Sequence, residues 1–143
     1  LELDTDGTKQ AEHFINAVGE DLSGRLIPAV EVRLRGLYRL LPPDYYEAAD
    51  NLADFCDRIE KQYGVRPVIY CTERTYKNIV ASDSRFNKDK IWYESLFSRP
   101  DEDMDWTFWT YTNRVKFSFY ESGEYLHMTV FNGSEDDFKK LII

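Results

Sequence analysis

The sequence predicts an α/β fold in which parallel strand–helix units are followed by an antiparallel pair of strands. The first observation is an alternation of short β-rich runs with longer segments of helical periodicity, which is typical of parallel βα units. The second is the run at 66–71 (RPVIYC), which is almost wholly apolar, as in a strand covered on both faces. The third is a pair of runs at 116–120 and 125–131, whose close spacing indicates a hairpin.

The first half of the chain contains two predicted helices around one strand. A helix over Gly7–Val18 follows Asp6, which suits the N-cap position, and its apolar residues share one face. A β-branched run over 26–34 predicts the strand. The periodicity is strongest over 44–63, where apolar residues recur every three or four positions between a Pro-Pro pair and Gly64. This segment predicts the main helix of the fold.

The second half of the chain predicts shorter elements. In order they are a strand over 66–71, a helix over 72–80, strands over 90–93 and 106–111, the hairpin of 116–120 with 125–131 about Ser122-Gly123, and a last helix over 135–141. Thr72 suits the N-cap of the first of these helices. Ser134 and Asp137 have the spacing of a capping box, which predicts where the last helix begins.

The length and the net charge of the chain limit the kinds of function that it can have. A chain of 143 residues fits one domain over 1–143, and at that size roughly two thirds of the unfolded surface can be buried. Its 26 acidic and 18 basic residues give a net charge of −8, which argues against nucleic acid as a partner because phosphate binding needs a cationic surface. The sequence has no apolar run of the roughly 18–20 residues that a membrane span needs, so no membrane partner is expected.

The cysteines and histidines predict neither a disulfide nor a metal site. Cys56 falls in a predicted helix and Cys71 in a predicted strand, and the chain lengths from the turn at Gly64 put the two thiols at different levels. We therefore interpret both as small buried hydrophobic residues. His13 and His127 have no ligand-like neighbours, and no metal is expected.

The carboxyl ends of the predicted parallel strands carry aromatic and charged side chains. Ligands of parallel sheets and barrels bind at this end of the strands. The residues there are Glu31, Arg33, Tyr70, Trp92, Glu94, Trp109, Tyr111 and His127. Tryptophan and tyrosine rings beside a few polar groups suit the C–H faces of sugars, whereas the alternative interpretation makes the aromatic residues core filler and Glu94 a solvated charge.

Five segments of the chain resemble one enzyme family in order and spacing. They are LIPAVEVRLRG, YGVRPVIYCTERTY, IWYESLF, WTFWTYTNR and YLHMTVFNGSEDDFKKL, and the opening DTDGTKQAEHFINAV is similar as well. The family is that of the family 25 glycoside hydrolases, the muramidase-type lysozymes. The resemblance implies an atypical β/α barrel that cleaves the β-1,4 bond between N-acetylmuramic acid and N-acetylglucosamine in bacterial peptidoglycan. It implies no metal or organic cofactor, and an extracellular or cell-wall location.

The resemblance also implies a partial barrel. A complete β/α barrel usually needs about 200 residues or more, and the likeness begins partway into the family pattern. About three N-terminal strands of that pattern, with the family's first-strand Asp, are absent from this sequence. Open sheet edges invite pairing with another chain, so we expect a homodimer or strand exchange.

The chain departs from the family at the positions that carry chemistry. The family's Asp-x-Glu pair is replaced here by Glu31 and Arg33, its Asp-Leu-Asn by His127, Met128 and Thr129, and its WQYS by Trp109, Thr110, Tyr111 and Thr112. The resemblance implies that the second residue of the pair donates the proton, and Arg33 stands there. It leaves Glu31 as the candidate catalytic residue, with the other strand-end residues named above as candidate substrate-binding residues.

The exchange of a carboxylate for a guanidinium has a clear physical consequence. Residues 31 and 33 share a strand face roughly 7 Å apart, where two carboxylates could divide into an acid and a base. Arg33 instead predicts an ion pair with Glu31, and it cannot act as an acid near neutral pH. Loss of a general acid costs about 10²–10⁴-fold in rate.

Three functions stay open from the sequence. The first is a degenerate lysozyme-like domain that binds cell-wall glycan or serves as a scaffold. The second is an active muramidase that uses Glu31 with another acid, for which His127 is the titratable candidate. The third is a protein-interaction module that uses the barrel as a support.

Overall fold

The structure is a computed structural model that describes residues 1–117 and 125–143. Five strands form one sheet in the order β1-β2-β3-β4-β5. The first three pairings are parallel, and β5 lies antiparallel to β4. The strands are β1 (Ala29–Val32), β2 (Val68–Thr72), β3 (Ile91–Glu94), β4 (Phe108–Val115) and β5 (Leu126–Phe131). The prediction of parallel βα units with an antiparallel end is confirmed.

The helices begin and end at residues suited to those positions. They are α1 (Gly7–Val18), α2 (Tyr45–Tyr63), α3 (Glu73–Thr75) and α4 (Glu135–Lys139). The Asp6 carboxylate accepts a hydrogen bond from the N–H of Lys9 and so caps α1, as predicted. Gly64 ends α2 in the left-handed conformation, at φ +73°, where glycine carries no Cβ penalty.

Helices α1 and α2 cover one face of the sheet and form the core with it. The α2 residues Leu52, Cys56 and Ile59 are fully buried, in one cluster with strand residues such as Ile69 and Cys71. Both thiols are free and buried, in agreement with their interpretation as small hydrophobic residues. Burial raises the pKa of each thiol to about 12.

Glycine lets α1 approach α2 closely. A Cβ at Gly7 would lie 1.8 Å from the carbonyl oxygen of Asn51 on α2, well inside van der Waals contact. The Asn51 side chain also donates a hydrogen bond to the carbonyl of Leu3 at 3.0 Å. These contacts fix the N-terminal segment against the helix that backs the sheet.

The predicted hairpin is built differently in the structure. The first arm of the antiparallel pair is β4 itself, which runs past the predicted 106–111 to Val115 and pairs with β5. β4 pairs with both β3 and β5 over 108–110, and two register irregularities with β5 follow, between Thr110 and Thr112 and between Thr112 and Val115. Such irregularities bend a strand and increase its twist. Residues 118–120 of the predicted arm and the predicted turn at Ser122-Gly123 lie outside the described residues.

Two predicted elements are shorter than expected, and a third keeps its span but changes its helix type. The strand over 26–34 is reduced to Ala29–Val32, since Leu26 bridges Ile142 instead. The helix over 72–80 widens after Thr75 into a π-type turn over Tyr76–Val80, in which the N–H of Ala81 donates to the carbonyl of Tyr76. The helix over 135–141 ends at Lys139.

Over the ranges that the structure describes, none of the helices combines the length and apolarity that a bilayer crossing requires.

Candidate functional site

Strand alternation divides the predicted site residues between two faces of the sheet. Glu31 lies opposite Tyr70 in the register, Tyr70 opposite Trp92, and Trp92 opposite Phe108. Side chains of registered neighbours share a face, and this one is opposite to the face that α1 and α2 cover. The structure therefore brings Glu31, Arg33, Tyr70, Trp92 and Glu94 together on the uncovered face.

Arg33 is the centre of a charged group at the carboxyl end of β1, β2 and β3. Its Nη2 lies 2.6 Å from Glu94 Oε2 and 3.2 Å from the Tyr70 hydroxyl. The Tyr70 hydroxyl donates a short hydrogen bond to the same Glu94 carboxylate. On the other side, Arg33 Nε lies 2.8 Å from Glu31 Oε1, and Arg35 also bonds to Glu31. We call Glu31, Arg33, Tyr70 and Glu94 the Arg33 cluster.

Burial within the Arg33 cluster is uneven. The side chain of Glu94 is 10% exposed, whereas that of Arg33 is 31% exposed. Glu94 is therefore not the solvated strand-end charge of the alternative interpretation, because the arginine and the phenol enclose it. Arg33 Nε is shielded from solvent, but its N–H makes no aligned hydrogen bond, so its contact with Glu31 is an attraction of charges.

The contacts with Glu94 favour the protonated forms of Arg33 and Tyr70. Burial opposes the charge of Arg33, but attraction to Glu94 and the hydrogen bond with it outweigh burial and raise the pKa of Arg33. Burial, and then the hydrogen bond to Glu94, raise the pKa of Tyr70 above its ordinary value. Neither group can release a proton to a substrate near neutral pH.

A row of aromatic rings crosses the uncovered face beside the cluster. The ring centroids of Tyr70 and Trp92 are 5.0 Å apart, those of Trp92 and Phe108 5.2 Å, and those of Phe108 and Phe131 5.3 Å. Trp92 Nε1 donates to the Thr110 hydroxyl at 2.9 Å, which fixes the indole. We call these four rings the aromatic row. The Phe138 ring of α4 packs against Phe108 and Phe131, so the end of the row at Tyr70 and Trp92 is the part that can stack against sugar rings.

Two predicted residues, Trp109 and Tyr111, lie elsewhere. Trp109 is registered with the buried Tyr93 and packs against the helix-covered core, with its Nε1 donating to the carbonyl of Ser95 at 3.0 Å. The Tyr111 ring is 5.7 Å from the Trp109 ring. Their position at a strand end is as predicted, but their side chains point to the other face, so the structure does not bring them together with Glu31. Their assignment as substrate-binding residues stays a prediction.

His127 is also distant from the Arg33 cluster. It is exposed on β5, at the opposite edge of the sheet from β1. Thr110 and Thr129 join the uncovered face instead, where their hydroxyls lie 2.7 Å apart. The period of two along each strand, which pairs Trp92 with Glu94 and Phe108 with Thr110, is the signal that could have found Thr110.

Among the described residues, no three or more His, Cys, Asp or Glu side chains are grouped to hold a metal ion.

Comparison with known proteins identifies the fold and the family. The model of the glycosyl hydrolases family 25 matches residues 2–118. A solved family 25 glycosyl hydrolase from Bacillus anthracis superposes with a TM-score of 0.84 at 28% identity, over 99% of this chain and 65% of its own. This chain thus spans 65% of the length of that hydrolase.

Two further solved structures share the fold. A bacterial lysozyme from Streptomyces coelicolor matches with a TM-score of 0.72 at 23% identity, over 96% of this chain and 66% of its own. A muramidase from Acremonium alcalophilum matches with a TM-score of 0.73 at 21% identity, over 99% of this chain and 68% of its own. No curated protein sequence matches significantly. Since the family model covers most of its residues, and its sheet is a partial barrel of the same type, the chain belongs to the family 25 glycosyl hydrolases.

Proposed function

We propose that this chain is a catalytically degenerate lysozyme-like domain that binds the glycan of bacterial peptidoglycan on the uncovered face of its sheet. The observation that carries the proposal is the position of Arg33. The family resemblance implies a proton donor there, and a guanidinium cannot donate a proton near neutral pH. Arg33 also engages both neighbouring carboxylates, Glu31 and Glu94. Neither carboxylate is then free to present a proton to a glycosidic oxygen.

The same face retains the features of a sugar-binding surface. The aromatic row offers ring faces, and the partly exposed Glu31 and Arg33 offer hydrogen-bonding groups at one end of it. Sugar sites commonly combine apolar platforms with a few fixed polar groups. The proposed ligand implies an extracellular or cell-wall location.

Two assays on the purified chain test the two halves of this proposal. In a peptidoglycan suspension we expect no loss of turbidity above a buffer control. In co-sedimentation with insoluble peptidoglycan we expect the chain in the pellet. Clearing of the suspension would contradict the degenerate assignment, and a chain that stays in the supernatant would contradict glycan binding.

A matched pair of tryptophan variants tests which face binds. Trp92 lies in the aromatic row, whereas Trp109 lies on the helix-covered face. We expect Trp92→Phe to weaken co-sedimentation at least fivefold and Trp109→Phe to leave it unchanged. Equal effects of the two substitutions would contradict the assignment of the uncovered face.

An active muramidase that uses Glu31 is the second candidate. The observation in its favour is that Glu31 is a third exposed on the uncovered face. If the suspension clears, Glu31→Gln should abolish the clearing. Persistent lysis by that variant would rule out a mechanism based on Glu31.

A homodimer remains our proposal for the quaternary state. β1 is an end strand of the sheet, with a hydrogen-bonded strand neighbour only at β2 among the described residues. A cavity of 540 Å³ opens beside it, between β1 and α1. Unpaired strand edges favour association. A monomer by light scattering at micromolar concentration would contradict the dimer.

A further inference from the structure

A second groove opens next to the Arg33 cluster. It has a volume of 480 Å³ and lies between α3, the π-type turn and the loop that follows β3. Glu94, which closes one end of the Arg33 cluster, also lines this groove. The groove is therefore adjacent to the Arg33 cluster, with Glu94 between them.

The two walls of the groove differ in chemistry. Leu96 and Phe97 form an apolar wall, and the Phe97 ring is fully exposed to solvent. Arg74 and Lys77 line the other wall. Lys77 pairs with Glu73 at 2.6 Å, whereas the Arg74 guanidinium donates to a neutral acceptor, the backbone carbonyl of Arg39, at 3.0 Å. Glu73 and Glu94 also line the groove, but Glu73 pairs with Lys77 and Glu94 with Arg33. Among the described contacts, the Arg74 charge therefore remains available to an anion.

This combination of walls favours a particular ligand class. A guanidinium recognises a carboxylate through paired N–H donors, and an exposed phenyl ring and a leucine contact small aliphatic side chains. A short peptide with free carboxylates and small side chains presents both features. When its lactyl carboxyl is capped as an amide, the sugar strand alone presents neither an anion for Arg74 nor an amino-acid side chain for Phe97.

We propose that this groove binds the stem peptide that branches from the sugar strand of peptidoglycan. The inference rests on the proposed function, since it takes the sugar to lie on the aromatic row and its peptide to leave past Glu94. Arg74 pairs with a carboxylate of the peptide, and Phe97 covers its aliphatic side chains. The groove thereby distinguishes peptidoglycan from a peptide-free polysaccharide.

Calorimetry with three probes tests the groove separately from the sugar surface. The probes are a peptidoglycan disaccharide with its stem peptide, the same disaccharide stripped of the peptide and capped as a simple amide on its lactyl carboxyl, and the released peptide. We expect the peptide-bearing probe to bind at least fivefold more tightly than the stripped one. Equal affinity of these two probes would overturn the groove proposal and leave glycan binding intact.

Variants of the exposed wall residues locate the effect. Phe97→Ser and Arg74→Gln should reduce the affinity for the peptide-bearing probe to that of the stripped probe, and should not change the affinity for the stripped probe. Leu40→Ser and Arg114→Gln are matched controls, because both residues are exposed and lie outside the groove. Variants that weaken both probes alike would overturn the proposal.

The released peptide separates the two possible failures. If the stripped disaccharide does not bind but the released peptide binds the unaltered chain and not Phe97→Ser, the groove proposal is supported and glycan binding is contradicted. If none of the three probes binds, both proposals are wrong.

Discussion

Two arginines in this molecule are each surrounded by acidic groups, and they lie at opposite ends of the sheet. Arg33 follows β1 at the carboxyl end of the strands, and Arg66 precedes β2 at the amino end. Arg66 binds both oxygens of Asp89, at 2.6 and 3.2 Å. It also reaches Asp57 and Glu60 of α2, at 2.5 and 3.2 Å. The residue type and its partner chemistry are nearly the same at both ends.

Burial and alignment distinguish the two arginines. The Asp89 side chain is 2% exposed and takes the Arg66 fork in bidentate geometry, so this group joins α2 to the loop before β3 as a closed unit. Arg33 is more exposed, has one nitrogen without an aligned hydrogen bond, and lies beside a solvent-accessible aromatic row. The comparison teaches that the closed ion cluster at the amino end of these strands joins elements of the fold, whereas the similar cluster at the carboxyl end lies beside the surface that we propose binds glycan.

Removal of Arg66 should have the largest effect on stability. Arg66→Ala leaves the buried Asp89 carboxylate without its partner, and such a loss costs about 3–5 kcal/mol of unfolding free energy. Urea denaturation measures it. Arg85→Ala is the matched control, because Arg85 pairs with Asp50 and Asp83 at the surface, where an ion pair contributes about 1 kcal/mol or less. Similar losses in both variants would show that burial does not explain the role of Arg66.

Arg33→Gln should separate stability from binding. The change removes the charge that faces Glu94, but Tyr70 still donates to that carboxylate, so we expect a loss of about 1–2 kcal/mol. The affinity for peptidoglycan should fall about tenfold, whereas Arg66→Lys should leave affinity unchanged. Denaturation and co-sedimentation on the same samples measure both quantities. A stability loss as large as that of Arg66→Ala would show that Arg33, like Arg66, mainly stabilises the fold.

Much of the fold follows from local sequence signals. Asp6, Asp44 and Gly64 define helix ends through contacts made within a few residues, and the structure shows those contacts. Apolar residues recur every three or four positions along α2, and this local pattern predicts which face of the helix is buried. The course of β4 was less predictable, because its second half is held by pairing with β5, and the two register irregularities in that pairing have no local sequence signal.

The sequence predicted the location of the candidate site better than it predicted which residues form it. Strand-end position predicted that Glu31, Tyr70 and Glu94 lie at one edge of the sheet, and the structure brings them together there around Arg33. Their roles in the site stay predictions. Trp109 shows the limit of that rule, because position along a strand does not specify the face on which a side chain lies. The enclosure of Glu94 by Arg33 and Tyr70 required a pairing across three strands, which local sequence does not encode.

The buried thiol near Arg66 predicts an alkaline loss of stability at the amino end of the sheet. Burial raises the pKa of Cys56 to about 12, although the charge of Arg66 lowers it. The folded pKa is above the unfolded value of about 8.5, so this contribution is complete below pH 8.5 and is lost as pH rises towards 12. At pH 9.5 the loss is about 1 kcal/mol. Cys56→Ala should flatten the pH dependence of unfolding under reducing conditions, and an unchanged slope would contradict this assignment.

Tyr70→Phe tests the smallest difference between the two clusters, which is that the Arg33 cluster contains a phenol. Loss of the hydroxyl removes its hydrogen bond to Glu94, so we expect a loss of about 0.5–1 kcal/mol at neutral pH. The raised pKa of Tyr70 stabilises the fold fully below its ordinary value near 10, and this contribution is lost as pH rises above it. The unfolding free energies of the unaltered chain and the variant should therefore converge between pH 9 and 11.

Tyr93→Phe is the matched variant on the helix-covered face, where burial raises the pKa of Tyr93 to about 12. It should reduce the alkaline loss in the same direction and leave peptidoglycan binding unchanged, because Tyr93 does not contact the Arg33 cluster or the aromatic row among the described contacts. Tyr70→Phe should alter both the alkaline loss of stability and the binding of peptidoglycan. Parallel curves for Tyr70→Phe and the unaltered chain would show that Glu94 does not hold the Tyr70 proton. The titration of the Tyr70 phenol therefore reports on whether Glu94 stays enclosed by Arg33 and Tyr70, as the titration of the Cys56 thiol reports on burial near Arg66.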